Sequence, residues 1–176
     1  MLDRALAPLF RFAGEALLRP DPEALRKIVP DVKENAFLTE ELEQELLADP
    51  DGIRLEHARL FLSPEGAPCP PWQSACCEPK TLMGWPHHRA LAWYRSEGME
   101  PEPPNEPADH AGLLLLFLAH LLNQGAPPER VQAYYEDHLK WVAGFCAGVD
   151  RETRHPFFRT VAETLELALQ PAVVCQ

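Results

Sequence analysis

The feature that most constrains this chain is an apolar run, Leu113–Leu118, inside a predicted helix over residues 111–122. A helix that is apolar on every side cannot show a polar face to water, so it belongs in the centre of a helical domain. Asp109 and His110 stand immediately before this helix. Its start is therefore one of the few places where the core can present polar groups, and it is the first candidate for a functional site.

The rest of the sequence predicts helices and no strand. Apolar residues recur at helical spacing, or capping signals mark a helix, over residues 2–17, 22–29, 39–48, 53–62, 87–97, 131–149 and from 156 onward. Thr39 is predicted to cap the third helix, Pro30 to end the second, and residues 49–52 (DPDG) to form a turn. We expect an all-α fold, a single helical-bundle domain over residues 1–176 with a long, irregular, proline-rich loop at about residues 63–86.

Charge and cysteine usage exclude several classes of protein. The net charge of −11 argues against a nucleic-acid partner, which needs clustered lysine and arginine. Nine acids between Asp31 and Glu56 either form a solvated surface or attract a basic partner, and the sequence leaves both open. The five cysteines include no C-x-x-C pair, and the apolar run Leu113–Leu122 is too short to cross a bilayer. We expect a cytoplasmic protein with reduced thiols and no stable membrane insertion.

Two short motifs are compatible with structural roles. Glu56 and Arg59 are three residues apart on one helix and can form an ion pair, while Phe61 enters the core, so we assign these three a structural role. Trp72, between two prolines and a polar residue, either covers the core or offers a rigid plate to a peptide. Asp109 is predicted to be the N-cap of the apolar helix.

An enzyme is not indicated, because the chain has no nucleophile elbow, HExxH or phosphate-binding loop, and we expect no cofactor of its own. Asp109 with His110, and residues 136–138, remain the only acid–base candidates, and His138 is expected at the rim of a helix. Four residues form the alternative, a metal-binding enzyme or sensor, although their spacing does not match a zinc site: Cys69, Cys76, Cys77 and His87.

Five motifs in order carry a resemblance to a known family. They are RLF at 59–61, PPWQS at 70–74 with EPKTLMG at 78–84, NEPADH at 105–110, the segment from His138 to Phe145, and HPFFR at 155–159. Together they resemble the TorD/DmsD-type redox enzyme maturation proteins, most closely the dimethyl sulfoxide reductase chaperone branch. Cys76 stands where the most similar relatives carry another tryptophan, and Ser63 where a glycine is common.

The resemblance implies an all-α chaperone of the cytoplasm. Its partners would be the twin-arginine leader peptide and the apo form of a molybdoenzyme catalytic subunit, held until the molybdopterin cofactor is inserted. It also implies a monomer or a swapped dimer. Contact with the folded catalytic subunit, with the leader secondary, is a further possibility. The leader-binding surface that it implies consists of Trp72, Pro107, Asp109 and His110.

Overall fold

The structure is a computed structural model that describes residues 2–33, 40–63, 66–101 and 105–170, and these ranges are helical with no strand. The predicted all-α fold is therefore confirmed. A 3-10 turn, Arg4–Leu6, precedes ten α-helices: α1 Ala7–Leu18, α2 Pro22–Lys33, α3 Glu40–Ala48, α4 Pro50–Phe61, α5 Gln73–Cys76, α6 Trp85–Ser96, α7 Ala111–Asn123, α8 Pro128–His138, α9 Val142–Glu152 and α10 Pro156–Leu169. In the described ranges, none of the helices has both the length and the apolar character needed to cross a bilayer. The single-domain boundary stays a prediction.

Helix α7 lies in the core, as its apolar sequence predicts, and packs most extensively against α1. Two glycines face each other at this contact. A Cβ on Gly112 would lie 2.6 Å from the carbonyl oxygen of Gly14, and a Cβ on Gly14 would lie 2.9 Å from that of Gly112. Since real Cβ atoms do not approach so closely, the missing side chains allow the two backbones to touch. This contact fixes the start of α7 within the fold.

The predicted ends of α2 and α4 are wrong. Pro30 lies inside α2, which continues to Lys33. Proline removes one backbone hydrogen bond there, but Val32 beyond it is fully buried, and that packing favours another turn of helix. Residues 49–52 do not form an isolated turn, because Asp49 caps α4 by accepting from the Gly52 amide at 2.9 Å. Thr39 and its predicted capping role lie outside the described residues.

Helical spacing predicts Leu55, Ala58 or Arg59, and Leu62 on the apolar side of the helix at residues 53–62, and this prediction is wrong. Leu55 and Leu62 are 72% and 57% exposed, whereas the buried side of the helix carries Ile53, His57 and Leu60. The helix begins three residues earlier than predicted, at Pro50, and buries two polar residues that a hydrophobicity pattern does not count, Glu56 and His57. Polar burial therefore set the orientation of this helix.

The long helix predicted over residues 131–149 is two helices, α8 and α9, separated at residues 139–141. Side chains take the carbonyl groups that a continuous helix would use. The side-chain amide of Gln73 donates to the Asp137 carbonyl at 2.9 Å, and the Trp141 indole donates to the His138 carbonyl at 2.8 Å. Insertion of such groups into the helical ladder is a known cause of a break.

Glu56 joins α4 to the connection between α9 and α10. Its carboxylate accepts two hydrogen bonds from Arg59, at 2.8 and 2.9 Å, one from the Thr153 hydroxyl at 3.1 Å and one from the Arg154 amide at 2.5 Å. Arg59 also donates to the Glu152 carbonyl at 2.6 Å. The hydrogen bonds from Arg59 lower the pKa of Glu56 from 4.5 to about 2.

Phe61 belongs to an aromatic cluster below this network. Its ring centroid lies 5.1 Å from that of His57, 5.7 Å from that of Phe158 and 6.0 Å from that of Phe145. The RLF motif thus places its arginine on the polar connection and its phenylalanine among the rings that join α4, α9 and α10.

Candidate functional site

The candidate site forms where residues 71–74, here called the strap, lie antiparallel to the start of α7. Trp72 and His110 form an isolated β-bridge. The Ala111 amide donates to the Pro71 carbonyl at 2.7 Å, and the Gln73 amide donates to the Asp109 carbonyl at 3.1 Å. Proline has no amide hydrogen and favours extended backbone, so the pair at 70–71 suits a strand-like segment that offers only carbonyl groups. The last two residues of the strap, Gln73 and Ser74, are also the first two residues of the one-turn helix α5.

Asp109 is enclosed by the strap and has no exposed surface. One carboxylate oxygen, Oδ2, accepts from the Ser74 amide at 2.6 Å, while Oδ1 has no hydrogen-bond partner. Asp109 therefore caps α5, and the prediction that it caps α7 is wrong. His110 caps α7 instead, because its Nδ1 accepts from the Gly112 amide at 3.0 Å. In the sequence, either of two adjacent acceptors satisfies the capping rule.

His110 is a neutral group in this arrangement. Only 3% of the residue is exposed, and burial lowers its pKa from 6.5 to about 3. Its ring meets the Trp72 ring edge-on, with centroids 6.1 Å apart. The imidazole therefore supplies a cap and an aromatic contact, and it does not present a positive charge to solvent.

Trp72 and Pro107 form the half-buried outer part of the site. The Trp72 indole donates to Glu106 Oε1 at 2.7 Å, and the Pro107 carbonyl accepts from the His110 amide at 3.0 Å. The four predicted site residues thus lie together, and the carboxylate that contacts the tryptophan is that of Glu106. In the sequence, Glu106 stands out only as a member of the NEPADH motif. Residues 102–104 of that loop lie outside the described residues.

Two strap residues, Gln73 and Ser74, and His138 of α8 bury polar side chains that the sequence did not single out as functional. Gln73 Oε1 lies 2.8 Å from His138 Nδ1, and because an amide oxygen only accepts, this nitrogen carries a proton. Burial lowers the pKa of His138 from 6.5 to about 4. His138 has no exposed surface, and its predicted position at a helix rim is wrong. Ser74 Oγ and His138 Nε2 have no hydrogen-bond partner.

Helix α6 fixes the backbone just before Asp109. His87 Nδ1 accepts from the Ala108 amide at 2.9 Å, and the Tyr94 hydroxyl donates to the Ala108 carbonyl at 2.6 Å. Tyr94 is 3% exposed, and Ala108 has no exposed surface. Both polar groups of residue 108 are thereby satisfied, and the carboxylate of Asp109 is held toward the strap.

An apolar cavity of about 380 Å³ lies beside the strap and α5. Gly144 and Gly148, one turn apart on α9, leave its floor without side chains, and a Cβ on Gly144 would meet no atom within 4 Å. Cys76 is exposed at its edge and lies 3.4 Å from the Pro70 carbonyl through its Sγ. Other residues that line the cavity are Cys69, Ala75, Lys80, Trp141 and Phe145.

The metal-binding alternative finds no support in this geometry. Within the described ranges, no three His, Cys, Asp or Glu side chains are placed so that they could hold an ion. Burial raises the pKa of Cys69 from 9.0 to about 11, which opposes the thiolate form that binds metals. His87 already uses its Nδ1 to accept from a backbone amide.

Comparisons with known proteins agree on one group. Residues 20–147 match the family model described as nitrate reductase delta subunit. The Tat proofreading chaperone DmsD of Salmonella paratyphi A is 32% identical over 113 residues, which cover 63% of this chain and 55% of that protein. The probable Tat proofreading chaperone DmsD of Haemophilus influenzae is 25% identical over 135 residues, covering 75% and 64% of the two chains. The chain thus spans little more than half the length of the Salmonella relative.

The fold also matches a solved structure. It superposes on an Archaeoglobus fulgidus protein described as a redox enzyme maturation protein with a TM-score of 0.70 and 26% sequence identity, over 93% of both chains. These matches confirm the resemblance that the five motifs indicated.

Proposed function

The chain belongs to the nitrate reductase delta subunit family, and from that membership we propose that it is a chaperone for a molybdoenzyme. It binds the twin-arginine leader of the apo catalytic subunit in the cytoplasm and holds it until the molybdopterin cofactor is in place. It neither inserts into the membrane nor catalyses a reaction. The names of the Salmonella and Haemophilus relatives support this assignment.

The observation that carries the proposal is the unpartnered carboxylate oxygen of Asp109 beside a half-buried tryptophan. Among the described residues no lysine or arginine pairs with Asp109. A guanidinium group brings five donors in a plane, matches a carboxylate with two parallel hydrogen bonds, and stacks on aromatic rings. Trp72 and Glu106 supply such a ring and a second carboxylate within the same corner.

An apolar cavity lies next to Trp72, Glu106 and Asp109, and it can hold the apolar part of a leader. The 380 Å³ cavity begins at Pro70 and Cys76, immediately next to the strap, and is lined mostly by apolar side chains. We assign it to the apolar residues that follow the arginine pair. The overall charge of −11 favours the approach of a doubly cationic segment.

Calorimetric titration with a synthetic Arg-Arg leader tests the assignment. We expect Asp109→Asn to weaken binding about 10- to 150-fold, because a hydrogen bond to a charged group contributes about 1.5–3 kcal/mol. Asparagine keeps the acceptor for the Ser74 amide, so the fold is retained. Glu163→Gln on α10 removes the same charge at an exposed position and should leave the affinity unchanged.

A Lys-Lys leader provides the second arm of the titration. An ammonium group is a point charge and cannot form the planar pair of hydrogen bonds, so we expect its affinity to be at least about tenfold lower. Equal binding of the two leaders, or equal effects of Asp109→Asn and Glu163→Gln, would rule out guanidinium recognition at this corner.

A further inference from the structure

The carboxylate of Asp109 is closed off in this conformation. Its side chain has no exposed surface, the Ser74 amide occupies Oδ2 at 2.6 Å, and the Gln73 amide occupies its backbone carbonyl. A guanidinium group from a leader therefore cannot reach Asp109 while residues 71–74 stay in place. Either Asp109 takes no part in binding, or the strap moves.

We propose that the strap occupies the guanidinium site of the free protein, and that one leader arginine replaces the Ser74 amide on Asp109 when the strap lifts. This inference rests on the proposed function and adds its regulation. In the closed state the protein's own N–H group serves as a substitute for the ligand. The arginine supplies two donors where the strap supplies one, so it also satisfies the Oδ1 atom that the strap leaves unpartnered.

Buried polar atoms without a partner destabilise the closed state, and this favours lifting of the strap. Three of its buried polar atoms have no hydrogen-bond partner: Oδ1 of Asp109, Oγ of Ser74 and Nε2 of His138. Each belongs to a residue that is at most 1% exposed. A buried polar group without a partner destabilises the state that buries it. Lifting the strap returns Ser74 and Asp109 to water or to ligand and relieves this cost.

The attachments of the strap are few enough to break together. Four hydrogen bonds hold it to the segment around Asp109: Pro71 to Ala111, Trp72 to Glu106, and Gln73 and Ser74 to Asp109. The Gln73 side chain makes two more, to the Asp137 carbonyl and to the His138 ring. Its last two residues belong to helix α5, which is a single turn of four residues. Movement of residues 71–74 therefore releases the Gln73 side chain from the end of α8 and leaves the contact of α7 with α1 in place.

Amide hydrogen exchange, followed by NMR on the whole chain, tests the inference without a mutation. With a saturating Arg-Arg leader, we expect the Gln73, Ser74 and Ala111 amides to lose protection, because their acceptors are released. The Gly112 amide, whose acceptor is the His110 ring inside the cap of α7, should keep its protection. Unchanged or increased protection at Ser74 in the complex would overturn the proposal, since the strap would then have stayed closed.

Substitution of Ser74 gives a second test, in which stability should rise while leader affinity falls. Ser74→Ala removes a hydroxyl that is unpartnered only in the closed state, so it should raise the melting temperature. Because it stabilises the closed state, it should also weaken leader binding, about 5- to 150-fold, through slower association. Ser63→Ala, which removes a half-buried hydroxyl outside the strap, serves as the control and should change neither quantity.

Separate measurement of the association and dissociation rates of the leader distinguishes the possible results. A loss of affinity confined to faster dissociation would mean that the Ser74 hydroxyl contacts the leader directly, and it would overturn the strap mechanism. Unchanged affinity in Ser74→Ala would overturn it as well. Failure of the wild-type protein to bind any leader would instead refute the proposed function, so the two ideas fail by different observations.

Discussion

Replacing Glu56 by glutamine offers the sharpest test of the forces that hold this fold together. The side chain is 7% exposed and accepts from the Arg59 guanidinium, the Thr153 hydroxyl and the Arg154 amide. Glutamine has nearly the same shape but lacks the charge, and its NH₂ group would face a donor. The variant therefore removes the charge-dependent part of the connection between α4 and the α9–α10 turn.

The magnitude follows from the pKa of Glu56, which hydrogen bonds from Arg59 lower from 4.5 to about 2. At 1.36 kcal/mol per pH unit, this difference corresponds to about 3 kcal/mol of stability. Because the pKa is lower in the folded protein, the contribution is complete above about pH 5. It is lost as the pH falls toward 2, and linkage leaves about 2 kcal/mol at pH 3.5.

Urea unfolding of wild type and Glu56→Gln at pH 7 and at pH 3.5 measures this contribution. We expect the difference in unfolding free energy between the two proteins to shrink by about 1.4 kcal/mol at the lower pH. Glu163→Gln, at an exposed position, should show a difference near zero at both values. A gap between wild type and Glu56→Gln that is the same at pH 7 and pH 3.5 would refute the assignment of stability to the ionised carboxylate.

Three further substitutions probe the cavity and the core. Gly144→Leu adds a side chain to the lining of the apolar cavity, where its Cβ would meet no atom within 4 Å, and should weaken leader binding by about tenfold or more in calorimetry. Ala143→Leu, exposed on the same helix, should not. Gly112→Ala should lower the free energy of unfolding in urea by about 1–3 kcal/mol, although alanine has the better helix propensity, because its Cβ would meet an α1 carbonyl. A free energy of unfolding equal to that of the wild type would contradict this close contact. Tyr134→Phe removes a buried hydroxyl that donates to an α7 carbonyl and should cost about 1 kcal/mol by thermal unfolding, with leader affinity unchanged.

The sequence predicts the helices of this chain well where apolar residues alone decide the structure. The buried position of α7 follows directly from Leu113–Leu118, and the stop after it from Gly125, which has a φ of 65°. Errors occur where polar groups decide. The break between α8 and α9 depends on the side-chain amide of Gln73, which is distant in sequence from the Asp137 carbonyl to which it donates. A pattern within one segment cannot contain that information.

The candidate site shows the same limit. The motif resemblance implies that Trp72, Pro107, Asp109 and His110 share one surface, and the fold places them close together. The sequence does not reveal which of two adjacent residues caps α7, because Asp109 and His110 both carry an acceptor. The choice depends on the Ser74 amide, which holds Asp109 from across the strap.

The strap therefore links the site to the architecture through neighbouring residues. Ser74 holds Asp109 at the start of α7, while Gln73 holds both His138 and the carbonyl group at the α8–α9 break. Lifting the strap to admit an arginine would release the Gln73 contacts as well as the Ser74 amide. The end of α8 would then lose two of its hydrogen-bond partners at the moment of binding. In the proposed mechanism, occupancy of the leader site would thus be coupled, through one glutamine, to the junction of α8 and α9.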